Sequence, residues 1–226
     1  SMCMVQLEQE ITRGETPADP LKKSSFIARL GSGSASRSIF PYMALWGRTD
    51  VWTGSSDEFA IPLPGFHPAF RDMRDTILIV ESGQKKVSSS AGHALMEKNP
   101  FSPVRFSQAR ENLKKLRNIL EEGDWTGFIS VLEEEALTLH AMMMTGRPGY
   151  LLMQPNTIAI LHRIMEFREE TGYRAGFTLD AGANVHLLYS GQDADAVDHF
   201  IDSELEGYCE KGALIRDRVG EGPQKI

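Results

Sequence analysis

The sequence predicts an α+β fold in which several helices pack on one face of a mainly antiparallel sheet. Three successive segments between residues 106 and 165 carry apolar residues at helical spacing. A continuous apolar run at 76–80 and further apolar segments at 175–179 and 185–189 predict buried strands. Helices and strands of these lengths, joined by short turns and without repeats, are typical of layered α+β domains.

Elements before residue 72 are shorter. Apolar spacing predicts a helix at 3–13. The serine pair at 24–25 predicts the start of a short helix that ends at Gly31. Apolar segments at 42–46 and 59–63 predict two strands.

Helix boundaries in the second part of the chain follow from capping residues. The first long helix ends at Gly123, and Asp124 caps the second. A third helix ends near Gly172, and a last helix around 197–201 precedes a strand at 213–215. The core-facing residues predicted for the second helix are Trp125, Phe128, Leu132, Ala136, Leu139 and Met143.

Composition argues against several classes of protein. The 226 residues include 24 basic and 31 acidic side chains and no long basic run, so no nucleic-acid partner is expected. No apolar run approaches the roughly 20 residues that span a bilayer, so no membrane association is expected. The two cysteines, Cys3 and Cys209, form no CxxC pair, which predicts a protein of the reducing cytoplasm.

A Gly/Ser segment at 31–38 is the first candidate binding loop. Alternating glycines allow close approach of the backbone to a ligand, and Ser32 and Ser34 supply neutral hydrogen-bond donors. Arg37 adds a permanent charge suited to carboxylate or phosphate. The alternative is a flexible linker, but a helix precedes the segment and a strand follows it closely.

Asp180 follows the predicted strand at 175–179. One interpretation is an aspartate that starts a turn, and the other is a carboxylate held at a strand end to orient or accept a proton. A second serine-rich segment lies at 85–92, where lysines precede Ser88 and Ser89. These two serines are candidates for binding the phosphates of a cofactor, or alternatively ordinary helix caps.

Histidines give no metal-binding pattern. His140 lies in an apolar helix followed by methionines, where a hydrogen-bonded core residue is a commoner role than a cofactor ligand. The remaining histidines lack the spacing of metal ligands, so no metal is assigned to the protein itself; they are His67, His93, His162, His186 and His199.

Three segments occur in a recognisable order. They are ARLGSGSASRSIFPYMALW at 28–46, KKVSSSAGHALM at 85–96 and GFTLDAGANVHLLY at 176–189. Together they resemble the diphosphomevalonate decarboxylases of the GHMP kinase superfamily, from about residue 3 to about residue 212. The resemblance implies use of ATP with Mg²⁺ to phosphorylate the tertiary hydroxyl of mevalonate diphosphate. Loss of that phosphate and of CO₂ then gives isopentenyl diphosphate.

The resemblance also implies roles for individual residues. Ser32 and Ser34 correspond to loop serines that contact the carboxylate and diphosphate of the substrate, and Arg37 to the arginine that clamps it. Asp180 corresponds to the aspartate beside the reacting hydroxyl, acting as base or orienting group. Ser89 resembles the serine that touches the phosphates.

The resemblance implies that the chain contains parts of two domains. Residues 1–71 correspond to a remnant of the nucleotide-binding domain with the substrate loop, and 72–226 to the ferredoxin-like α+β domain. The family's lysine and Gly/Ser phosphate loop for ATP are not found in this sequence, so we expect a truncated, inactive form. Its uncovered apolar surface and unpaired strand edges favour a homodimer. Pro41–Tyr42 stands where many members have a Gly-Gly pair.

Two alternatives stay open. A related GHMP kinase would phosphorylate without decarboxylation, although the joint presence of Arg37 and Asp180 disfavours this. A binding or dimerisation module without catalytic activity is the second alternative, favoured by the absent ATP loop.

Overall fold

The computed structural model of this chain describes residues 1–11, 19–83 and 99–223. The predicted α+β class is confirmed, with helices and antiparallel sheets in one chain. In chain order the elements are α1 (Met2–Ile11), α2 (Pro20–Gly31), β1 (Ala44–Trp46), β2 (Ala60–Pro62), β3 (Met73–Leu78), α3 (Ser102–Glu122), α4 (Trp125–Met144), α5 (Pro155–Thr171), β4 (Ala175–Leu179), β5 (Val185–Ser190), α6 (Ala194–Phe200) and β6 (Leu214–Arg218).

The chain divides into two compact units, Ser1–Phe66 with Val219–Ile226, and His67–Arg218. These bounds differ from the predicted division at 71/72 in two ways: the boundary lies at 66/67, and the chain returns to the first unit after β6. There the Tyr42 N–H donates to the Gly220 carbonyl oxygen over 2.8 Å. The assignment of the first unit to a nucleotide-binding domain stays a prediction.

The first unit contains α1, α2 and the antiparallel pair β1–β2, in which Leu45 lies opposite Ile61. Helix α2 begins at Pro20, not at the serine pair, because the Asp19 side chain accepts from the Lys22 N–H over 2.9 Å. The serines lie buried inside the helix instead. The buried apolar residues of this unit include Val5, Ile39, Phe40 and Ala60.

The second unit is built on a four-stranded antiparallel sheet with the order β4-β5-β3-β6. Strand β3 begins three residues before the predicted run at 76–80, because it pairs with β5 from Met73–Ser190 to Leu78–Val185. Strand β6 likewise extends the predicted 213–215 to Arg218 by pairing with β3. Pairing with a partner therefore sets the length of both strands.

Helix ends in the second unit agree with the capping predictions. Gly123 ends α3 in the left-handed conformation, with φ of 77°, and the Asp124 side chain accepts from the Gly127 N–H over 2.9 Å. Gly172 ends α5 with φ of 73°. Four of the six residues predicted to face the core from α4 are buried, whereas Leu132 and Leu139 are half-buried.

The core of the second unit lies between the sheet and its helices. It contains apolar residues from β3, β4 and β5 together with residues of α4, α5 and α6. A π-helical turn, Ile201–Leu205, continues α6 and buries both of its end residues. The largest fully buried side chains here include Phe70, Phe177, Phe200, Ile160, Ile164 and Leu187.

Candidate functional site

A cavity of about 410 Å³ opens in the second unit where β4 ends and β5 begins. The turn Asp180–Asn184 forms one wall, and the end of β3 with the segment Glu81–Gly83 forms another. Leu151 and Leu152 contribute apolar surface. The cavity therefore combines carboxylates, backbone amides and apolar side chains, as small-molecule sites do.

Asp180 is exposed and lies directly after the last residue of β4, as predicted from the sequence. Its carbonyl oxygen accepts from the Gly182 N–H over 2.7 Å, which tightens the turn. The same oxygen lies 3.0 Å from His140 Nε2. A tight turn and a side chain of α4 thus hold the backbone of Asp180 at the wall of the cavity.

His140 is a hydrogen-bonded core residue, as the commoner of its two interpretations predicted. Only 1 % of its surface is exposed. Burial lowers the pKa of the imidazole below its ordinary value of 6.5, and the hydrogen bond with Asp180 acts in the opposite direction. The ring is therefore neutral at physiological pH.

Asn184 fixes the far end of the turn. Its side-chain oxygen accepts from the N–H groups of Val80 and Glu81, over 2.9 and 3.0 Å. Thr157 of α5 donates its hydroxyl to the Ala183 carbonyl oxygen over 2.6 Å. The turn is thus held by α5 and by the segment that follows β3.

The Glu81–Gly83 wall is fixed by Glu210, whose carboxylate accepts from the Ser82 N–H over 2.6 Å. Hydrogen bonds from Ser82 hold the pKa of this carboxyl below its ordinary value. His186 also lines the cavity, and its Nδ1 lies 3.0 Å from a carboxylate oxygen of Asp75. The sequence pattern does not mark these polar residues as part of a site, because each depends on a partner distant in the chain.

In the first unit the Gly/Ser segment forms a 3-10 helix, Ser34–Ile39. A Cβ at Gly33 would lie 2.4 Å from the ring of Trp46, so glycine is needed for this close packing. The hydroxyls of Ser32 and Ser34 lie 3.1 Å apart. The segment is therefore packed against β1 and is not a flexible linker, and that it binds a ligand stays a prediction.

Arg37 lies on this 3-10 helix and is exposed. The residue before it, Ser36, is hydrogen-bonded to α2, since Ser25 donates its hydroxyl to the Ser36 carbonyl oxygen over 2.9 Å. Ser25 also accepts from the Ala60 N–H over 2.9 Å, which joins α2, the 3-10 helix and β2. Buried Ser25 is thus a support of the loop that sequence reasoning treated only as a cap.

The structure brings three of the predicted site residues, Ser32, Ser34 and Arg37, into one exposed segment of the first unit. Asp180 belongs to the second unit. That Arg37 and Asp180 share one pocket stays a prediction. Ser88 and Ser89, the other predicted site residues, lie outside the described residues.

Tyr42 follows the loop at the position where the family resemblance implies a Gly-Gly pair. Its φ is 59°, a left-handed conformation that glycine adopts without strain and tyrosine does not. The departure from the family pattern therefore changes the residue but keeps a glycine-like backbone.

Among the residues that the structure describes, no group of three or more His, Cys, Asp or Glu side chains could hold a metal ion. Across the same part of the chain, every helix is too short or too polar to cross a membrane.

The family profile for the mevalonate 5-diphosphate decarboxylase C-terminal domain matches residues 76–225, more than half of the chain. The diphosphomevalonate decarboxylase of Gibberella zeae is 28% identical over 81% of this chain and 48% of its own length. The phosphomevalonate decarboxylase of Haloferax volcanii is 25% identical over 78% of this chain and 52% of its own length. The chain thus spans about half the length of these curated relatives.

Solved structures agree with the sequence relatives. The crystal structure of a mevalonate diphosphate decarboxylase from Legionella pneumophila matches with a TM-score of 0.79 and 29% identity, covering 94% of this chain and 62% of that chain. A structure described as MDDEF in complex with MVAPP, AMPPCP and magnesium matches with a TM-score of 0.76 and 26% identity, covering 89% and 59%.

Proposed function

Because this chain belongs to the mevalonate 5-diphosphate decarboxylase C-terminal domain family, we propose that it is part of an ATP-dependent decarboxylase. The substrate is mevalonate 5-diphosphate and the products are isopentenyl diphosphate and CO₂. The observation that carries the proposal is Asp180, which lies at the end of β4 in the wall of a cavity. Its segment is also one of the motifs on which the family resemblance rests.

The reaction requires three tasks of the protein, and candidate residues exist for each. Asp180 orients the tertiary hydroxyl or accepts its proton as the phosphoryl group is transferred. Arg37 holds the substrate carboxylate, which must be placed so that it leaves as CO₂. Ser32 and Ser34 donate hydrogen bonds to substrate oxygens. Positioning and charge stabilisation of this kind dominate phosphoryl transfer.

ATP and Mg²⁺ are the proposed cofactors, since a matching solved structure is described with AMPPCP and magnesium. Magnesium in proteins is typically held by one or two carboxylates together with substrate phosphates. The exposed Asp180 carboxylate fits this donor set. ATP supplies the phosphoryl group, and Ser88 and Ser89 are the candidates for contacting its phosphates.

We propose that this chain by itself does not turn over ATP. The lysine and the Gly/Ser phosphate loop that the family resemblance implies for ATP are not among its 226 residues. The proposed homodimer is supported by the apolar residues that α1 exposes, Met4, Leu7 and Ile11. Cytoplasmic location is supported by the two cysteines, which are free thiols in the structure.

The test is an assay of the full-length gene product beside this chain, with ATP, Mg²⁺ and mevalonate diphosphate. Formation of isopentenyl diphosphate is measured by mass spectrometry, and the amount of CO₂ released is measured in parallel. We expect product only from the full-length protein. Arg37→Ala and Asp180→Asn should each lower kcat about 10²–10³-fold, the cost of losing one charge-stabilising group. Arg117→Ala, in an ion pair on the surface of α3, is the control.

Other outcomes separate the alternatives. A phosphorylated product without CO₂ would identify a kinase that does not decarboxylate. Absence of turnover by the full-length protein, together with retained oligomerisation, would identify a module without catalytic activity. Calorimetric titration of this chain with mevalonate diphosphate measures whether the substrate loop binds this compound in the absence of the remainder of the full-length protein.

A second substrate has one observation in its favour, the match to a phosphomevalonate decarboxylase at similar identity. The monophosphate lacks one phosphate, and the two substrates share the carboxylate and the tertiary hydroxyl. The values of kcat/KM for the two substrates, measured with the same enzyme, decide between them. If kcat/KM is higher for mevalonate monophosphate, the monophosphate is the substrate and the diphosphate is not.

A further inference from the structure

We propose that His140 is a positioning residue for Asp180, acting through the backbone of the turn that carries the carboxylate. The inference rests on the proposed function, in which Asp180 contacts the reacting hydroxyl. It extends that function to a buried residue of α4 that does not line the cavity.

The contact is specific. His140 Nε2 lies 3.0 Å from the carbonyl oxygen of Asp180, 40 residues further along the chain. A carbonyl oxygen can only accept, so Nε2 must carry the hydrogen in this bond. The neutral Nε2–H tautomer satisfies the carbonyl oxygen, and burial favours the neutral form.

The same carbonyl oxygen accepts a second hydrogen bond, from the Gly182 N–H over 2.7 Å. Its two lone pairs are therefore both used. The Gly182 bond lies within the turn and moves with it, whereas His140 belongs to a long helix of the core. His140 is thus the contact that ties the backbone of Asp180 to α4.

Two further anchors hold the other end of the turn. Thr157 of α5 donates to the Ala183 carbonyl oxygen, and the Asn184 side chain accepts from the Val80 N–H, just beyond β3. The turn is therefore tied to α4, to α5 and to the segment that follows β3, and the His140 contact is made at Asp180 itself, the residue that bears the catalytic candidate. A misplacement of about 1 Å at a reacting group can lower a rate about 100-fold.

The experiment compares three variants. His140→Phe keeps a ring of similar size and removes the donor. His140→Gln keeps an N–H donor at a similar reach from the backbone. Val131→Ala, also buried on α4 but nine residues before His140, opens space in the core and is the control for a purely structural effect.

The first readout is made on this chain and does not depend on activity. The backbone ¹³C resonance of the Asp180 carbonyl should move upfield in His140→Phe, because the oxygen loses a donor. It should return towards its original position in His140→Gln and stay unchanged in Val131→Ala. An unchanged resonance in His140→Phe would overturn the anchoring itself.

The second readout is made on the full-length enzyme. We expect kcat of His140→Phe to fall about 10- to 100-fold, with KM for mevalonate diphosphate changed less than about threefold. His140→Gln should recover kcat to within about threefold of the original enzyme. An equal loss of kcat in Val131→Ala, or an unchanged kcat in His140→Phe, would show that His140 serves only the fold.

Failure of the proposed function is recognised separately. If the unaltered full-length protein forms no isopentenyl diphosphate, the decarboxylase proposal fails and the catalytic part of this inference fails with it. The carbonyl resonance then still decides whether His140 anchors the turn. If the full-length protein forms product and the His140 variants have the same kcat as the original enzyme, only the inference about His140 is wrong.

Discussion

Single residues decide how closely the layers of the second unit approach. Gly176 lies in β4 beneath α4, and a Cβ built there would lie 2.7 Å from the side chain of Ile129. A separation this short requires movement of the helix or the side chain. Glycine at this position therefore permits the contact between α4 and the sheet.

Gly176→Ala should reduce the free energy of unfolding by about 1–3 kcal/mol, the usual cost of overpacking a core. Urea unfolding measures the change. Gly207→Ala is the control, because a Cβ there meets nothing within 4 Å. Combining Gly176→Ala with Ile129→Ala should recover part of the loss through coupling of the two sites. Equal effects of the two glycine substitutions would contradict the packing argument.

His140 makes stability depend on pH, because its pKa is lowered by burial in the folded state. Below about pH 6.5 the unfolded chain takes up a proton at this position that the folded chain does not. The free energy of unfolding should therefore fall as pH decreases below 6.5, by at most about 1.4 kcal/mol per pH unit from this residue.

Urea unfolding at pH 7.5 and pH 5.5 measures this effect, with His140→Gln as the comparison. The unaltered chain should lose more stability between the two pH values than the variant, which has no titrating group at this position. The same loss in both proteins would mean that other groups account for it.

At the scale of elements, three consecutive glutamates join α4 to its neighbours. Glu133 forms a two-pronged ion pair with Arg168 of α5, over 2.7 and 3.0 Å, and also accepts from the Phe177 N–H of β4. Glu135 pairs with Arg105 of α3. Hydrogen bonds from Gln108 and Asn112 of α3 hold the pKa of Glu134 below its ordinary value.

Arg168→Ala should destabilise the chain by about 2 kcal/mol, because it removes the ion pair that the largely buried Glu133 carboxylate makes with Arg168. Arg117→Ala removes an exposed ion pair within α3 and should cost less than about 0.5 kcal/mol. Thermal and urea unfolding of the two variants compare them directly. A similar effect of both would show that the connection between α4 and α5 contributes little.

At the scale of the whole molecule, helix α1 exposes an apolar stripe. Met4, Leu7 and Ile11 lie on one face, and 62, 57 and 71 % of their surfaces are exposed. Val5 points the other way and is buried. An exposed stripe of this kind favours association with a second surface.

Leu7→Lys should weaken self-association of this chain about tenfold or more, since a fully buried leucine contributes roughly 1.5–3 kcal/mol. Sedimentation velocity over a range of concentrations measures the dissociation constant. Glu10→Lys is the control, because it changes charge on the same helix without removing apolar surface. A chain that is monomeric at all concentrations would contradict both this prediction and the proposed homodimer.

The sequence by itself determined the α+β class and most helix ends, because apolar periodicity and capping act between residues close in the chain. Gly123 and Asp124 illustrate this, since each ends or begins a helix through its own backbone or side chain. The start of α2 was predicted wrongly at Ser24–Ser25. The capping aspartate and the proline that begin the helix lie a few residues upstream.

Only the tertiary structure decided which distant groups meet. The length of β3 depends on β5, more than a hundred residues later, and the bond from His140 to Asp180 depends on how α4 packs beside β4. The Glu133–Arg168 pair depends on the same packing. Such contacts are made by burial of apolar faces against one another, which a pattern along one segment does not specify.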